Sequence, residues 1–236
     1  MHGDRLDVGA LVDAISRCDV EFSGQRYRGF QFFYEHDFDR NGVFYWLGTS
    51  GKTQPYRNPH SAGFVWCIMS SIHLGHAFNV VERTSAHRPN YTKNQPYSTI
   101  EIDFGSRRLF LPNKYTIRHG SSSPGHALRN WELQAKVGRA TDGSEDTGSG
   151  GMADCWITLS SHENDTSLSD APNASCSWDV AVPPELREEF FTIGFRHFRI
   201  LQTGPNSSAN DCLFCCGVEL YGILFEKVVE LKASSV

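Results

Sequence analysis

Short runs that alternate apolar and polar residues, each closed by a turn signal, constrain this chain more than any other feature. Ser98–Gly105, STIEIDFG, sets Ile100, Ile102 and Phe104 on one face and Glu101 and Asp103 on the other, and then turns at Gly105. Trp131–Val137, WELQAKV, points Trp131, Leu133, Ala135 and Val137 one way. Leu109–His119 pairs Tyr115 and Ile117 against Thr116 and Arg118. In Phe195–Gln202, FRHFRILQ, residues Phe195, His197, Arg199 and Leu201 oppose Arg196, Phe198, Ile200 and Gln202. Asp154–Leu159, Cys176–Val180 and Val218–Phe225 read as further strands, and Phe64–Ser70, FVWCIMS, reads as a buried one because its apolar run is continuous. Many short strands with Gly- and Pro-rich turns and few helices make an all-β sandwich or barrel.

Phe30–Thr49 carries two signals at once. Two aromatic-rich runs flank Asn41-Gly42, a dipeptide suited to the positive φ angles of a type I′ turn, so a β-hairpin is expected. Asp37, Asp39, Asn41 and Gly42 also spell the opening of a calcium loop. An EF-hand needs a bidentate Glu at its twelfth position, and counted from Asp37 that position is Gly48. Asp37, Asp39 and Asn41 are therefore weak metal candidates, and capping of the hairpin is their expected role.

Leu6, Ala10, Leu11, Ala14 and Ile15 recur at helical spacing, which gives a short helix over Leu6–Arg17, packed on the sandwich. Arg139–Gly151 is rich in Gly, Ser, Thr and Asp and is expected to be mobile. Pro183–Phe191 suits one or two helical turns. The expected organisation is a helical extension over 1–21, one sandwich over 22–225 with its insert at 139–151, and a tail over 226–236.

At 236 residues, with sixteen Phe, eight Tyr and five Trp, the chain can bury a substantial core. A net charge of −5 argues against a general nucleic-acid binder, which needs surplus cations for phosphates. No apolar run approaches the ~20 residues of a membrane span, and the N-terminus lacks a signal-peptide pattern. Seven Cys in no regular framework fit reduced thiols, so a cytoplasmic protein is expected.

The strand motifs also resemble a known family. Ser98–Gly105 is similar to the W-x-x-[IV]-D-L-G strand of discoidin-like (coagulation factor 5/8 type C) domains, with Tyr97 near the place of the family's Trp. Met69-Ser70-Ser71, Tyr115–Gly120, Phe195–Leu201 and Val218–Gly222 resemble further motifs in the family's order. Phe38–Thr49, Asn58-Pro59, Ala127–Trp131 and Gln202–Pro205 resemble intracellular versions, found in a large HECT-type ubiquitin ligase (in a region also called SUN-like) and in plant BTB-domain proteins. The resemblance covers about Phe30 to Leu224 and implies an antiparallel, galactose-binding-like jelly roll whose end loops bind ligands. It further implies a non-catalytic recognition module for a protein partner, attached to ubiquitin-ligase machinery, or a module for a carbohydrate or lipid headgroup. Extracellular relatives join the two ends of the domain by a disulfide, and no Cys follows Gly222 here.

The resemblance places Ile72–Asn94 and Arg118–Arg129 near the binding edge. They offer His76, Arg83, Tyr91, Lys93, Arg118, His119, His126 and Arg129, cations and aromatics suited to a carboxylate, phosphate, glycan or peptide. For Arg118 and Arg129, a structural role pairing with carboxylates such as Glu101 or Asp103 is the alternative. Cys212, Cys215 and Cys216 form C-x-x-C-C, two zinc ligands where four are wanted, so core thiols are expected even with His197 and Cys155 in view. His73 and His76 read as surface histidines. No nucleophile elbow or phosphate loop is present, Cys67 sits in an apolar strand, and Glu188-Glu189 reads as a solvated face, so neither catalysis nor a cofactor is expected.

Overall fold

The computed structural model describes residues 19–22, 24–83, 88–137, 155–182 and 194–228. The expected helices at Leu6–Arg17 and Pro183–Phe191 and the insert at Arg139–Gly151 lie outside these residues.

Among the described residues ten strands follow one another: β1 (Asp19–Phe22), β2 (Gln25–Phe32), β3 (Trp66–Met69), β4 (Thr99–Asp103), β5 (Arg108–Arg118), β6 (Trp131–Val137), β7 (Ile157–His162), β8 (Ser175–Asp179), β9 (Phe195–Gln202) and β10 (Gly217–Lys227). A short helix α1 (Val43–Gly48) and a 3₁₀ turn (Ala77–Val81) lie between them. Every pairing is antiparallel. The pairings make two layers, β1-β2-β10-β5-β8 and β3-β4-β9-β6-β7, joined by the single pair Phe110–Phe195. This is an antiparallel jelly-roll β-sandwich.

The alternation puts the core between the layers. Ile100, Ile102 and Phe104 are buried as their period requires, as are Trp131, Leu133 and Ala135. The rings of Phe104, Phe110 and Phe198 meet at 5.5–6.1 Å. Trp131 on β6 donates its indole N–H to the Tyr115 hydroxyl on β5 at 3.1 Å, which ties one layer to the other. A fully buried aromatic of this size contributes about 3 kcal/mol or more.

Three local expectations change. Phe30–Thr49 is no hairpin: Gly42 has φ −74°, and the second aromatic run is α1. Val43, Phe44 and Leu47 are buried at helical spacing. The decisive group is the Glu219 carboxylate on β10, which accepts the N–H groups of Phe44 (2.8 Å) and Tyr45 (3.2 Å) at the start of the helix. A Cβ on Gly42 would overlap that carboxylate, so glycine is required there for space. Next, β3 is not buried on both faces. Cys67 and Met69 point inward, while Trp66 and Ile68 are 59% and 48% exposed. The free edge of β3 is closed where His60 Nδ1 accepts the Cys67 N–H at 3.0 Å, a common way to blunt an edge strand. Finally, β9 does not alternate strictly. The register shifts between Lys136 and Val137, so Phe195 and Phe198 are both buried while Arg196 and His197 lie between them.

Candidate functional site

The registers gather one end of every core strand. Arg118 pairs with Gly217 and Ser175, Thr99 with Leu201, and Trp131 with Gln202 and His162. The connections 70–98, 119–130, 163–174 and 203–216 therefore meet at this end. Asn90, fully buried, fastens three of them. Its backbone N–H donates to Gly120 O (2.9 Å), and its amide donates to Cys215 O (2.7 Å) and accepts from the His76 N–H (2.9 Å). Cα-level bridges Leu74–Tyr91 and Tyr91–Phe214 continue the seam.

A column of rings stands on this seam. His73 stacks on Tyr91 at 5.0 Å, Tyr91 on Phe214 at 4.1 Å, and Phe214 on His126 at 4.7 Å, with interplanar angles of 21°, 11° and 17°. Both faces of Tyr91 and both faces of Phe214 are thereby covered. Phe214 had no motif around it and was not among the expected site residues.

The other expected site residues divide. His76 is exposed and stacks on Phe78 at 5.0 Å. Lys93 is exposed. His119 is fully buried, its Nε2 2.8 Å from Gly125 O and its Nδ1 without a partner, and burial lowers its pKa below the usual imidazole value. Arg129 pairs with Asp170 at 3.1 Å, a carboxylate other than the two expected for it, and donates to Leu168 O at 2.7 Å. Arg83 is drawn inward as well: it pairs with Glu219 at 3.2 Å, donates to Phe38 O and Asp39 O, and lies over the Tyr45 ring. Arg118 lies 3.8 Å over the Phe38 ring, with one buried guanidinium nitrogen unpartnered. It pairs with none of the carboxylates proposed for it.

The weak calcium candidates are occupied by protein donors. Asp39 accepts backbone N–H groups from Glu35 (2.8 Å) and Asn41 (2.6 Å), and Asp37 accepts the hydroxyls of Tyr34 (2.9 Å) and Ser177 (2.5 Å). Among the described residues no group of three His, Cys, Asp or Glu is placed to hold a metal. Burial raises the thiols of Cys67 and Cys215 to about 12 and that of Cys216 to about 11, so all three stay protonated and inert at neutral pH. The described cysteines are free thiols.

One constellation was not visible in the sequence. Ser160 Oγ lies 2.8 Å from His162 Nε2, and His162 Nδ1 lies 2.7 Å from Asp165. This is triad chemistry by spacing. Yet the same Nε2 is 2.8 Å from the Tyr115 hydroxyl, Asp165 also accepts from the Trp178 indole, and the imidazole is stacked on Trp131 at 4.1 Å. The ring is walled by core aromatics, and the network reads as a satisfied polar plug between the layers.

No protein-family model matches the chain. It is 33% identical over 199 residues to E3 ubiquitin-protein ligase hecd-1 of Caenorhabditis elegans, across 82% of this chain and 7% of that protein. It is 30% identical over 195 residues to E3 ubiquitin-protein ligase Ufd4 of Drosophila melanogaster, across 81% and 6%. A BTB/POZ domain-containing protein of Arabidopsis thaliana is 27% identical over 197 residues, 80% of this chain and 22% of that one. The chain thus spans a small fraction of each relative. Among solved structures it is similar to CpGH89CBM32-5 from Clostridium perfringens in complex with GalNAc-β-1,3-galactose (TM-score 0.46, 13% identity, 68% of this chain and 96% of that one). It is also similar to a fucolectin from Morone saxatilis (TM-score 0.41, 15% identity, 71% and 47%). Nothing about ligands follows from likenesses of that size. The chain is a two-layer antiparallel β-sandwich whose ordered strand motifs resemble those of discoidin-like domains, and it is similar to stretches of two E3 ubiquitin-protein ligases and of a plant BTB/POZ domain-containing protein.

Proposed function

We propose that this domain is a non-catalytic recognition module that binds a protein partner with its loop end, as part of a larger, ubiquitin-ligase-related assembly in the cytoplasm. One observation carries the reading. Trp66, Ile68, Ile72 and Leu74 stand 46–59% exposed along one stretch that runs from β3 into the loop end. Tyr97, at 69%, lies beside it, two residues before Thr99, whose N–H donates to Ser70 Oγ at 2.9 Å. An exposed apolar stripe of this length marks a protein-contact surface. Tyr97 keeps a positive φ of 61°, a strained choice for a bulky residue.

The glycan reading is less well supported. A sugar needs an open ring face to stack on; Tyr91 and Phe214 have theirs covered, which leaves Trp66 and Tyr97 on the stripe. Of the expected ligand-binding residues, His76, Tyr91, Lys93 and His126 remain at the loop end as contact candidates, and Arg83, Arg118, His119 and Arg129 are drawn into the fold. No membrane-crossing role is proposed, since no helix among the described residues is long and apolar enough to span one. The experiment is affinity capture with the chain as bait, comparing wild type with Ile72→Asp/Leu74→Asp. Proteins held by the first and lost by the second support the proposal. A glycan-array signal kept by the double variant would replace it.

A further inference from the structure

A second site lies on the flank of the sandwich, beside β2. A cavity of about 360 Å³ opens between the end of β2 and α1, lined on its apolar side by Phe30, Phe33 and Trp46 and on its polar side by Glu35, Asn41 and Lys52. The size is within the range of small-ligand pockets. The indole of Trp46 is held tilted against Phe30 at 4.7 Å and edge-on to Phe32 at 5.8 Å, so its position is fixed by core packing. Phe33 follows the last residue of β2 and is 62% exposed, a large apolar ring on the rim.

The charges decide what fits. Aromatic faces carry negative potential, so they attract cations and repel anions. Lys52, the cation of the rim, already donates to Asn41 Oδ1 at 3.1 Å. The Glu35 backbone N–H is used by Asp39, whereas its carboxylate makes no hydrogen bond or ion pair in the described structure and lines the cavity. The exposed Phe33 ring, the half-buried Trp46 indole and an uncommitted carboxylate are complementary to a soft organic cation.

We infer that this pocket binds the cationic head of an arginine or a methylated lysine presented by a partner protein, stacked on Trp46 and Phe33 and paired with Glu35. This inference stands on the pocket alone and is independent of the loop-end proposal. The two sources share one chemistry, a poorly hydrated cation on a flexible apolar stem.

The test uses the whole chain and four small probes: N-acetyl-arginine amide, N-acetyl-trimethyllysine amide, N-acetyl-glutamine amide and N-acetyl-glutamate amide. The readout is the NMR shift of the assigned Trp46 indole N–H. One or both cations should shift it saturably, and the stronger of them identifies the source. The neutral and anionic probes should not. Glu35→Gln and Phe33→Ser, both at exposed positions that leave the fold intact, should each weaken cation binding roughly two- to fivefold. Lys52→Gln should strengthen it. No saturable shift with either cation overturns the inference. So does equal binding of the glutamine probe, or weakening by Lys52→Gln, which would mark an anion site.

Discussion

Glu219 Oε1 accepts the Phe44 backbone N–H at 2.8 Å, so the last strand of the sandwich holds the start of the helix that follows β2. The same carboxylate accepts from Tyr45 and Leu220 at 3.2 Å and pairs with Arg83 at 3.2 Å. Strand, helix and loop converge on one buried side chain. Glu219→Ala leaves those donors unpaired and is expected to cost about 3–5 kcal/mol in chemical denaturation. Gly42→Ala is expected to destabilise through the same group, since its Cβ displaces the carboxylate.

Burial lifts the Glu219 carboxyl from 4.5 to about 7, against the opposing pull of its backbone donors and Arg83. The folded state then holds the proton more tightly than the unfolded state. The stability from this group is complete below about 4.5 and is lost as pH rises through about 7. Asp39, Arg83 and Arg118 are the charged groups that face this region of β10. Urea titrations of wild type and Glu219→Gln over that window should show the wild type losing ground to the variant as pH rises, then a constant difference. A difference that does not change with pH contradicts the raised value.

His119 has the opposite sign. Its folded pKa lies below 6.5, so the stability it contributes is present above that value and is lost as pH falls. His119→Gln should be less stable than wild type at neutral pH, and the gap should narrow as pH drops below about 6. The measurement is the denaturation midpoint of each protein across that range.

Tyr97 separates folding from binding. Replacing it with Gly relieves a left-handed backbone strain of about 1 kcal/mol and removes a side chain that is mostly exposed. The variant should melt at or above the wild-type temperature and capture less partner. A loss of stability instead would assign Tyr97 to the core.

The Ser160–His162–Asp165 network should behave as structure. A fluorophosphonate probe should leave Ser160 unlabelled, and His162→Ala should cost several kcal/mol because it empties a slot against Trp131. Labelling of Ser160 would reopen catalysis.

Strand content was legible because period-two patterns such as Ser98–Gly105 can be read without knowing the tertiary context. Asn41-Gly42 misled because the group that selects helix over hairpin, Glu219, is 175 residues away from Phe44. Trp66 and Ile68 were read as buried since an apolar run does not reveal which face meets solvent. Arg83 and Arg129 resembled ligand cations in sequence, and only the fold brings Glu219 and Asp170 to them. Phe214, the centre of the ring column, lies in a cysteine-rich stretch with no periodicity to flag it.

Quantitative capture from native extract tests the central claim most directly, with wild type, Ile72→Asp/Leu74→Asp and the exposed Arg107→Gln at the opposite end of the sandwich compared as baits. A set of proteins retained by wild type and by Arg107→Gln and lost from the double variant is the predicted result. No stable partner for wild type, or the same partners on the double variant, would contradict the assignment of the loop end as a protein-binding surface.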